Sequence, residues 1–139
     1  MKVFNGENLL LGRLATHVAK AALLGEEVAV VNCEKIMVSG SRLKTFEDQK
    51  TRFDRRGHPD KSQNHSRLPD RFVRRAIRGM LPWRKTRGRE AYKQIMCHVG
   101  IPEELEKEAL IVVEGASIEK LPTLKYVTIK QICKSLGGK

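Results

Sequence analysis

Residues that could carry catalysis occur in this chain only in incomplete patterns. Ser41 and Lys44 have the Ser-x-x-Lys spacing of serine acylases, but the partner motifs are missing, which favours a helix-capping role for Ser41. Gly6 and Gly12 follow a predicted strand, yet neither their spacing nor the residues after Gly12 match a phosphate-binding loop. The sequence therefore predicts neither an acylase nor a nucleotide-binding enzyme.

Carboxylates could also serve a metal-dependent nuclease, which would need acids that converge on a cation beside a basic surface. Pro69, Asp70, Glu90 and Lys93 approach a nuclease signature, but the last spacing differs by one residue and the connecting chain has a helical pattern. A nuclease that uses Asp70 and Glu90 is kept as an alternative. The histidines and cysteines show no metal-ligand spacing, so we expect no metal, no other cofactor and no catalytic residue.

The chemistry that the sequence favours is binding to a polyanion. The 139-residue chain has a formal net charge of +11, and residues 42–93 hold the whole excess, with 17 Lys or Arg against 6 Asp or Glu. Twelve of these 17 are Arg, whose planar guanidinium group binds phosphate oxygens in a bidentate way. A solvated helix face would normally interleave acids with bases, whereas no acid occurs between Asp70 and Glu90.

Membrane binding is not expected, because the longest aliphatic run, residues 109–113, is far too short to span a bilayer. No apolar signal-peptide core follows the N-terminus, and three widely spaced cysteines fit a reducing cytoplasm. We therefore expect a cytoplasmic protein whose partner is a nucleic acid.

The basic segment lies between elements that predict a single α/β domain over residues 1–139. Residues 2–5 and 27–32 are predicted strands on either side of an amphipathic helix that begins near residue 11, a βαβ pattern typical of parallel sheets. Residues 109–117 predict another buried strand and a turn. Helices are predicted over 42–56, 71–80 and 87–98 and from residue 128, with 57–69 as a loop and Asp70 as a helix cap.

The helix predicted over residues 71–80 separates apolar from basic residues. Its two faces are an apolar arc, Phe72, Val73, Ala76, Ile77 and Met80, and a basic arc, Arg71, Arg74, Arg75 and Arg78. No zinc finger, zipper or DNA-reading helix is evident, and an irregular spread of Arg suits the backbone of a folded RNA. Trp83 could stack on a base or pack beside the helix end, and the sequence leaves both open.

Residues 75–95, RAIRGMLPWRKTRGREAYKQI, together with GIP at 100–102, resemble the universal L-thirteen family of large-subunit ribosomal proteins. The hallmarks are Arg-Gly-Met-Leu-Pro at 78–82 and Arg-Gly at 87–88, and LGRLA at 11–15 matches a second family segment. The bacterial branch has a His-Pro-His element where this chain has GIPEELEKEA, and the long eukaryotic C-terminal extension is absent. The resemblance is therefore to an archaeal-type member.

The resemblance implies a three-layer α/β/α fold with a central, largely parallel four-stranded sheet and a basic helical and loop insertion at residues 42–93. It implies a non-catalytic component of the large ribosomal subunit that binds ribosomal RNA early in assembly. Its partners would be that RNA and neighbouring ribosomal proteins, with no small-molecule substrate. Family contacts fall here on Arg13, Arg78, Arg84, Lys85, Arg87 and Arg89.

Charge pattern and resemblance together give the predicted RNA-binding residues. They are Arg13, His17, Lys20, Arg42, Arg52, Arg55, Arg56, Lys61, Arg67, Arg71, Arg74, Arg75, Arg78, Trp83, Arg84, Lys85, Arg87, Arg89 and Lys93.

Overall fold

A computed structural model describes residues 1–55, 57 and 65–138 of the chain. The strands are β1 (Lys2–Asn5), β2 (Val28–Val31), β3 (Met37–Ser39), β4 (Ile95–Cys97), β5 (Leu110–Ile111) and β6 (Tyr126–Thr128). The helices are α1 (Leu11–Leu23), α2 (Arg42–Asp54), α3 (Pro69–Met80), α4 (Thr86–Lys93) and α5 (Ile129–Ser135). Most of the predicted 57–69 loop, namely residues 58–64, lies outside the described residues, as does residue 56.

A four-stranded parallel sheet in the order β4-β2-β1-β5 forms the centre of the fold. β2 is buried at every position because strands flank it on both sides and both of its faces are covered, as its continuous apolar sequence predicts. β3 and β6 form a separate antiparallel pair. The prediction of an α/β fold around a largely parallel four-stranded sheet is confirmed.

The two faces of the sheet are covered to different depths. Val28 and Val30 point into the larger core, where buried residues of α1, α3 and α5 pack against them. The alternate residues Ala29 and Val31 join Val3 and Leu105 in a smaller cluster. Leu105 belongs to a single 3-10 turn, Glu103–Leu105, so the layer on that side is thin and the main helices share the other side.

The helix predicted over residues 87–98 is wrong in its second half. α4 ends at Lys93, and Ile95–Cys97 instead forms β4, paired in parallel with β2. The apolar residues of this stretch fit helical spacing, but the open edge of β2 offers a full hydrogen-bond ladder that the local pattern cannot reveal. The N–H of Val28, for example, donates to the carbonyl of Gln94 at 3.0 Å.

The strand predicted within residues 109–117 is shorter and less buried than expected. β5 has only two residues, both partly exposed, because it is an edge strand that pairs with β1 alone. The chain then enters the 3-10 turn Glu114–Ala116, whose Ala116 is fully buried.

Two helix caps inferred from the sequence also differ in the structure. α3 begins at Pro69, so Asp70 lies inside the first turn, where the helix dipole favours a carboxylate, and is not the cap. Ser41 does occupy the N-cap position of α2, but its side chain makes no capping hydrogen bond.

The helix predicted from residue 128 is confirmed as α5, in which Thr128 and Gln131 form a reciprocal capping box and the apolar face is buried. Within the described part of the chain, none of the helices has the length and apolarity needed to cross a membrane.

Candidate nucleic-acid interface

α3 is the two-faced helix that the sequence predicts. Val73 and Ile77 are completely buried against the sheet, whereas Arg71 and Arg78 are exposed. Met80 departs from the prediction, because it lies at the end of the helix and is 43% exposed. The apolar face thus fixes the helix to the core, and the basic face points outward.

Arg74 is half-buried and braces α3 against α4. Its guanidinium carbon lies 4.6 Å from the centre of the Tyr92 ring, and its Nη2 donates to the Tyr92 carbonyl at 3.5 Å. The Nε of Arg74 is buried and has no hydrogen-bond partner within the described part of the chain. This arginine therefore holds two basic helices together, and its contact with RNA stays a prediction.

Trp83 packs beside the end of α3, which is one of the two roles that the sequence left open. The guanidinium of Arg78 lies 4.2 Å from the centre of the indole ring, and Tyr92 meets Trp83 edge-to-face with ring centroids 5.2 Å apart. Trp83 is 37% exposed. Its exposed part is open to a partner, but one side of the ring is already covered.

The turn after α3 is closed by an unusually tight contact at Gly88. A Cβ at this position would lie 2.3 Å from the carbonyl oxygen of Pro82, so only glycine fits. The N–H of Lys85 donates to the same carbonyl at 2.9 Å. This packing explains the Arg-Gly dipeptide noted in the sequence and fixes the start of α4 against the turn.

The same packing leaves four cations of this region exposed on the surface, namely Arg84, Lys85, Arg87 and Arg89. Two of them are held by backbone carbonyls: the Nη2 of Arg87 donates to Leu23 at 3.1 Å, and the Nη2 of Arg89 donates to Arg84 at 3.3 Å. Arg84 and Lys85 extend without such an anchor among the described residues.

α1 adds its own exposed cationic side next to these helices. Arg13, His17 and Lys20 are exposed opposite the buried stripe, and the Nη1 of Arg13 donates to the carbonyl of Gly115 at 3.2 Å. Lys20 and Arg87 line one cavity of about 490 Å³, here called the α1–α4 cavity. The structure therefore brings predicted residues of α1 and α4 together.

A second cavity of about 400 Å³, here called the α2–α3 cavity, lies between those two helices. Its polar lining consists of Gln49, Arg52, His65, Ser66 and Arg75. Its apolar lining consists of Leu11, Val38, Phe72, Ala76 and Gly79. Burial lowers the pKa of His65 below its ordinary value, and the charges of Arg75 and Arg52 lower it further. No acid lines either cavity among the described residues.

Sequence reasoning did not find Gln49, Ser66 or Gly79 as members of a site. Each belongs to a different part of the chain, and only the packing of α2, α3 and the start of α1 brings them together. No local signal marks them, because polar residues on exposed helices and in loops are ordinary, and so is a glycine near the end of a helix.

Four further predicted residues that the structure describes are exposed, namely Arg42, Arg55, Arg67 and Lys93. Arg42 is exposed over the ring of Phe46 at 5.4 Å, and Arg67 lies over Phe53 at 4.7 Å. Arg55 and Lys93 are exposed at the ends of their helices. Arg56 and Lys61 lie outside the described residues.

The described residues do not assemble a metal centre, since no group of three or more His, Cys, Asp or Glu converges among them. Asp70 and Glu90 lie on different helices, α3 and α4. The neighbouring Cys97 side chain and burial raise the pKa of the Cys33 thiol, whose Sγ donates to the Val30 carbonyl at 3.5 Å, so the thiol is protonated and weakly nucleophilic.

Comparison with known proteins gives matches along the chain. A family model described as ribosomal protein L13 matches residues 1–104. The large ribosomal subunit protein uL13 of Methanococcoides burtonii is 40% identical over 139 residues, covering 100% of this chain and 99% of the relative. Those of Archaeoglobus fulgidus and Methanococcus maripaludis are 40% and 41% identical, covering 97% and 100% of this chain and 86% and 99% of the relatives.

The resemblance found in the hallmark residues is thus confirmed over the full length of the chain, and the matched relatives are archaeal. The chain belongs to the ribosomal protein L13 family, which is a family of structural components and not of enzymes.

Proposed function

We propose that this chain is a structural constituent of the large ribosomal subunit in the cytoplasm that binds ribosomal RNA and supports subunit assembly as one domain. The contact would be made by the basic surface, defined as the exposed cations of α1, α3 and α4, the turn at residues 81–85, and the neighbouring end of α2. The observation that carries the proposal is the two-faced helix α3, buried through Val73 and Ile77 and exposed through Arg71 and Arg78.

The charge of this surface is not neutralised from within the described part of the protein. Ion pairs between described residues join Lys2 to Glu26 at 2.8 Å and Lys35 to Glu7 at 2.9 Å, all outside the basic segment. Concentrated like charge destabilises a compact protein unless an external anion compensates it. RNA phosphates would supply that compensation, and they explain why the cations are spread irregularly over several helices.

The spread of cations also explains the supporting role proposed in assembly. α3 and α4 are joined by the stacking of Arg74 on Tyr92 and by the Gly88 contact, and α1 is tied to α4 by the hydrogen bond from Arg87 to the Leu23 carbonyl. A rigid surface of this kind can hold RNA segments in one relative orientation, because little order has to be gained on binding.

The test is a salt titration of RNA binding by a variant in which two arginines and one lysine are replaced together. Arg71, Arg84 and Lys85 are exposed, and their side chains form no hydrogen bond, ion pair or ring contact with other described residues, so Arg71→Gln, Arg84→Gln and Lys85→Gln should spare the fold. If each neutralises one phosphate, the slope of log affinity against log salt should become shallower by about 2 to 3, at roughly 0.7–0.9 per contact. Filter binding to transcribed large-subunit RNA of Methanococcoides burtonii, repeated over a range of salt concentrations, measures this slope.

A matched control removes the same charge from another part of the surface. Lys120, Lys125 and Lys130 are exposed in the C-terminal region and do not belong to the basic surface, so their triple change to Gln should leave the slope unchanged. Equal slopes in both triple variants would reduce the effect to net charge and contradict the proposed surface. Failure of the unaltered protein to bind the RNA would contradict the proposed function itself.

A further inference from the structure

The α2–α3 cavity combines two kinds of lining that rarely meet on a surface used only for phosphate contacts. Phe72, Ala76 and Gly79 of α3 supply an apolar wall, while Arg52 and Gln49 of α2 supply cationic and amide groups. Phosphates alone would need no apolar wall. The combination fits a ligand with a flat apolar body, polar edges and an attached anion.

We propose that this cavity receives one unpaired nucleotide of the bound RNA, with the base against the apolar lining and its phosphate beside Arg52. The inference rests on the proposed RNA binding and adds a specific site to it. An extruded base is recognised by stacking or packing on side chains and by hydrogen bonds to its polar edges. Gln49 can both donate to and accept from such an edge.

The size and charge of the cavity agree with a nucleotide. Its volume of about 400 Å³ falls within the roughly 300–1,000 Å³ typical of small-ligand sites. Arg52, Arg75 and His65 line it, and no described acid does, so a negative charge would be favoured there. Burial lowers the pKa of His65, and the charges of Arg75 and Arg52 add to that effect.

Gly79 is the residue that keeps the cavity open on the α3 side. It lies in the last turn of the helix, where a Cβ would meet nothing within 4 Å, so backbone geometry does not require glycine there. Alanine would be the better helix former at this position. The absence of a side chain at Gly79 leaves space for a ligand on this side of the cavity.

The α1–α4 cavity offers a weaker case for a nucleotide. Thr16, Lys20 and Arg87 are its polar members, and the guanidinium of Arg87 already donates to the carbonyl of Leu23. The other described residues of its lining are Ala, Leu and Met, and none of them is an aromatic residue or an amide.

The test fills the α2–α3 cavity without removing a charge. Gly79→Leu should abolish the chemical protection of one unpaired nucleotide in the large-subunit RNA of Methanococcoides burtonii, while the rest of the footprint persists. Affinity should fall about tenfold, the order expected for loss of one stacked base. Gly12→Leu is the matched control, since Gly12 is also an exposed helical glycine with nothing within 4 Å of its Cβ, and it does not line the cavity.

A second variant tests the same site in case Gly79→Leu does not fold. Arg52→Gln changes an exposed side chain on α2 and should remove protection of the same nucleotide. Full protection and affinity in folded Gly79→Leu, or in Arg52→Gln if Gly79→Leu unfolds, would overturn the nucleotide site and leave RNA binding intact. No binding by the unaltered protein would instead overturn RNA binding, and the nucleotide site with it.

Discussion

Replacing Gly88 by alanine should destabilise the protein although alanine is the better helix former. Gly88 is buried in the first turn of α4, and the added methyl carbon would lie 2.3 Å from the oxygen and 2.5 Å from the carbon of the Pro82 carbonyl. Ordinary van der Waals contacts begin near 3.4 Å. The backbone of α4 or of the turn must therefore move by about 1 Å to accept one methyl group.

The magnitude follows from two opposing contributions. Forcing an extra methyl group into a packed site costs about 1–3 kcal/mol, and the upper end applies at Gly88 because the obstacle is backbone and not a flexible side chain. The higher helix propensity of alanine relative to glycine raises the free energy of unfolding by about 1 kcal/mol. We expect the free energy of unfolding of Gly88→Ala to fall by about 2 kcal/mol.

Urea unfolding of the full chain measures this difference, with Gly12→Ala as the matched control. A Cβ at Gly12 meets nothing within 4 Å, so that variant should gain up to about 1 kcal/mol from helix propensity alone. The two variants should differ by about 3 kcal/mol. If Gly88→Ala is as stable as Gly12→Ala, then the turn is free to relax and Gly88 does not hold α3 and α4 in a rigid junction.

Two further predictions concern titration and reactivity. The pKa of His65, followed by NMR, should lie below about 6.5 and should rise in Arg75→Gln. Because the unfolded state binds the proton more readily than the folded state, the free energy of unfolding should decrease as pH falls below about 6.5. An unshifted pKa would contradict the described environment of His65. In the folded protein at pH 7, Cys33 and Cys133 should resist labelling by iodoacetamide, because both thiols are buried and have raised pKa values, that of Cys133 being raised to about 11. Labelling of either cysteine before Cys97, detected by mass spectrometry, would contradict this.

Elements whose pattern is set by local burial could be predicted from the sequence. β1, α1 and β2 follow from two short apolar runs and one helical stripe, and α5 follows from Thr128 with its capping box and buried face. α3 follows for the same reason, since its buried and exposed residues alternate with helical spacing. In each case the side that meets the core is visible in the order of residues alone.

β4 was missed, and β5 was predicted too long and too buried, because both strands depend on partners far away in the chain. Ile95–Cys97 has apolar residues that fit a helix equally well, and only the free edge of β2 makes it a strand. β5 is a two-residue strand because β1 alone pairs with it, which leaves its residues partly exposed. Local propensity is a weak guide wherever pairing between distant segments decides the structure.

For the basic surface, the sequence predicted which residues are cationic but not how they are used. Arg74 and Arg78 follow each other by one helical turn and look equivalent, yet Arg74 braces Tyr92 while Arg78 lies exposed over Trp83. The difference arises because α4 packs against the turn after α3, at a distance that only Gly88 permits. The break at residues 79–82 therefore shapes the surface as much as the charge does, by deciding which guanidinium groups remain free to meet a phosphate.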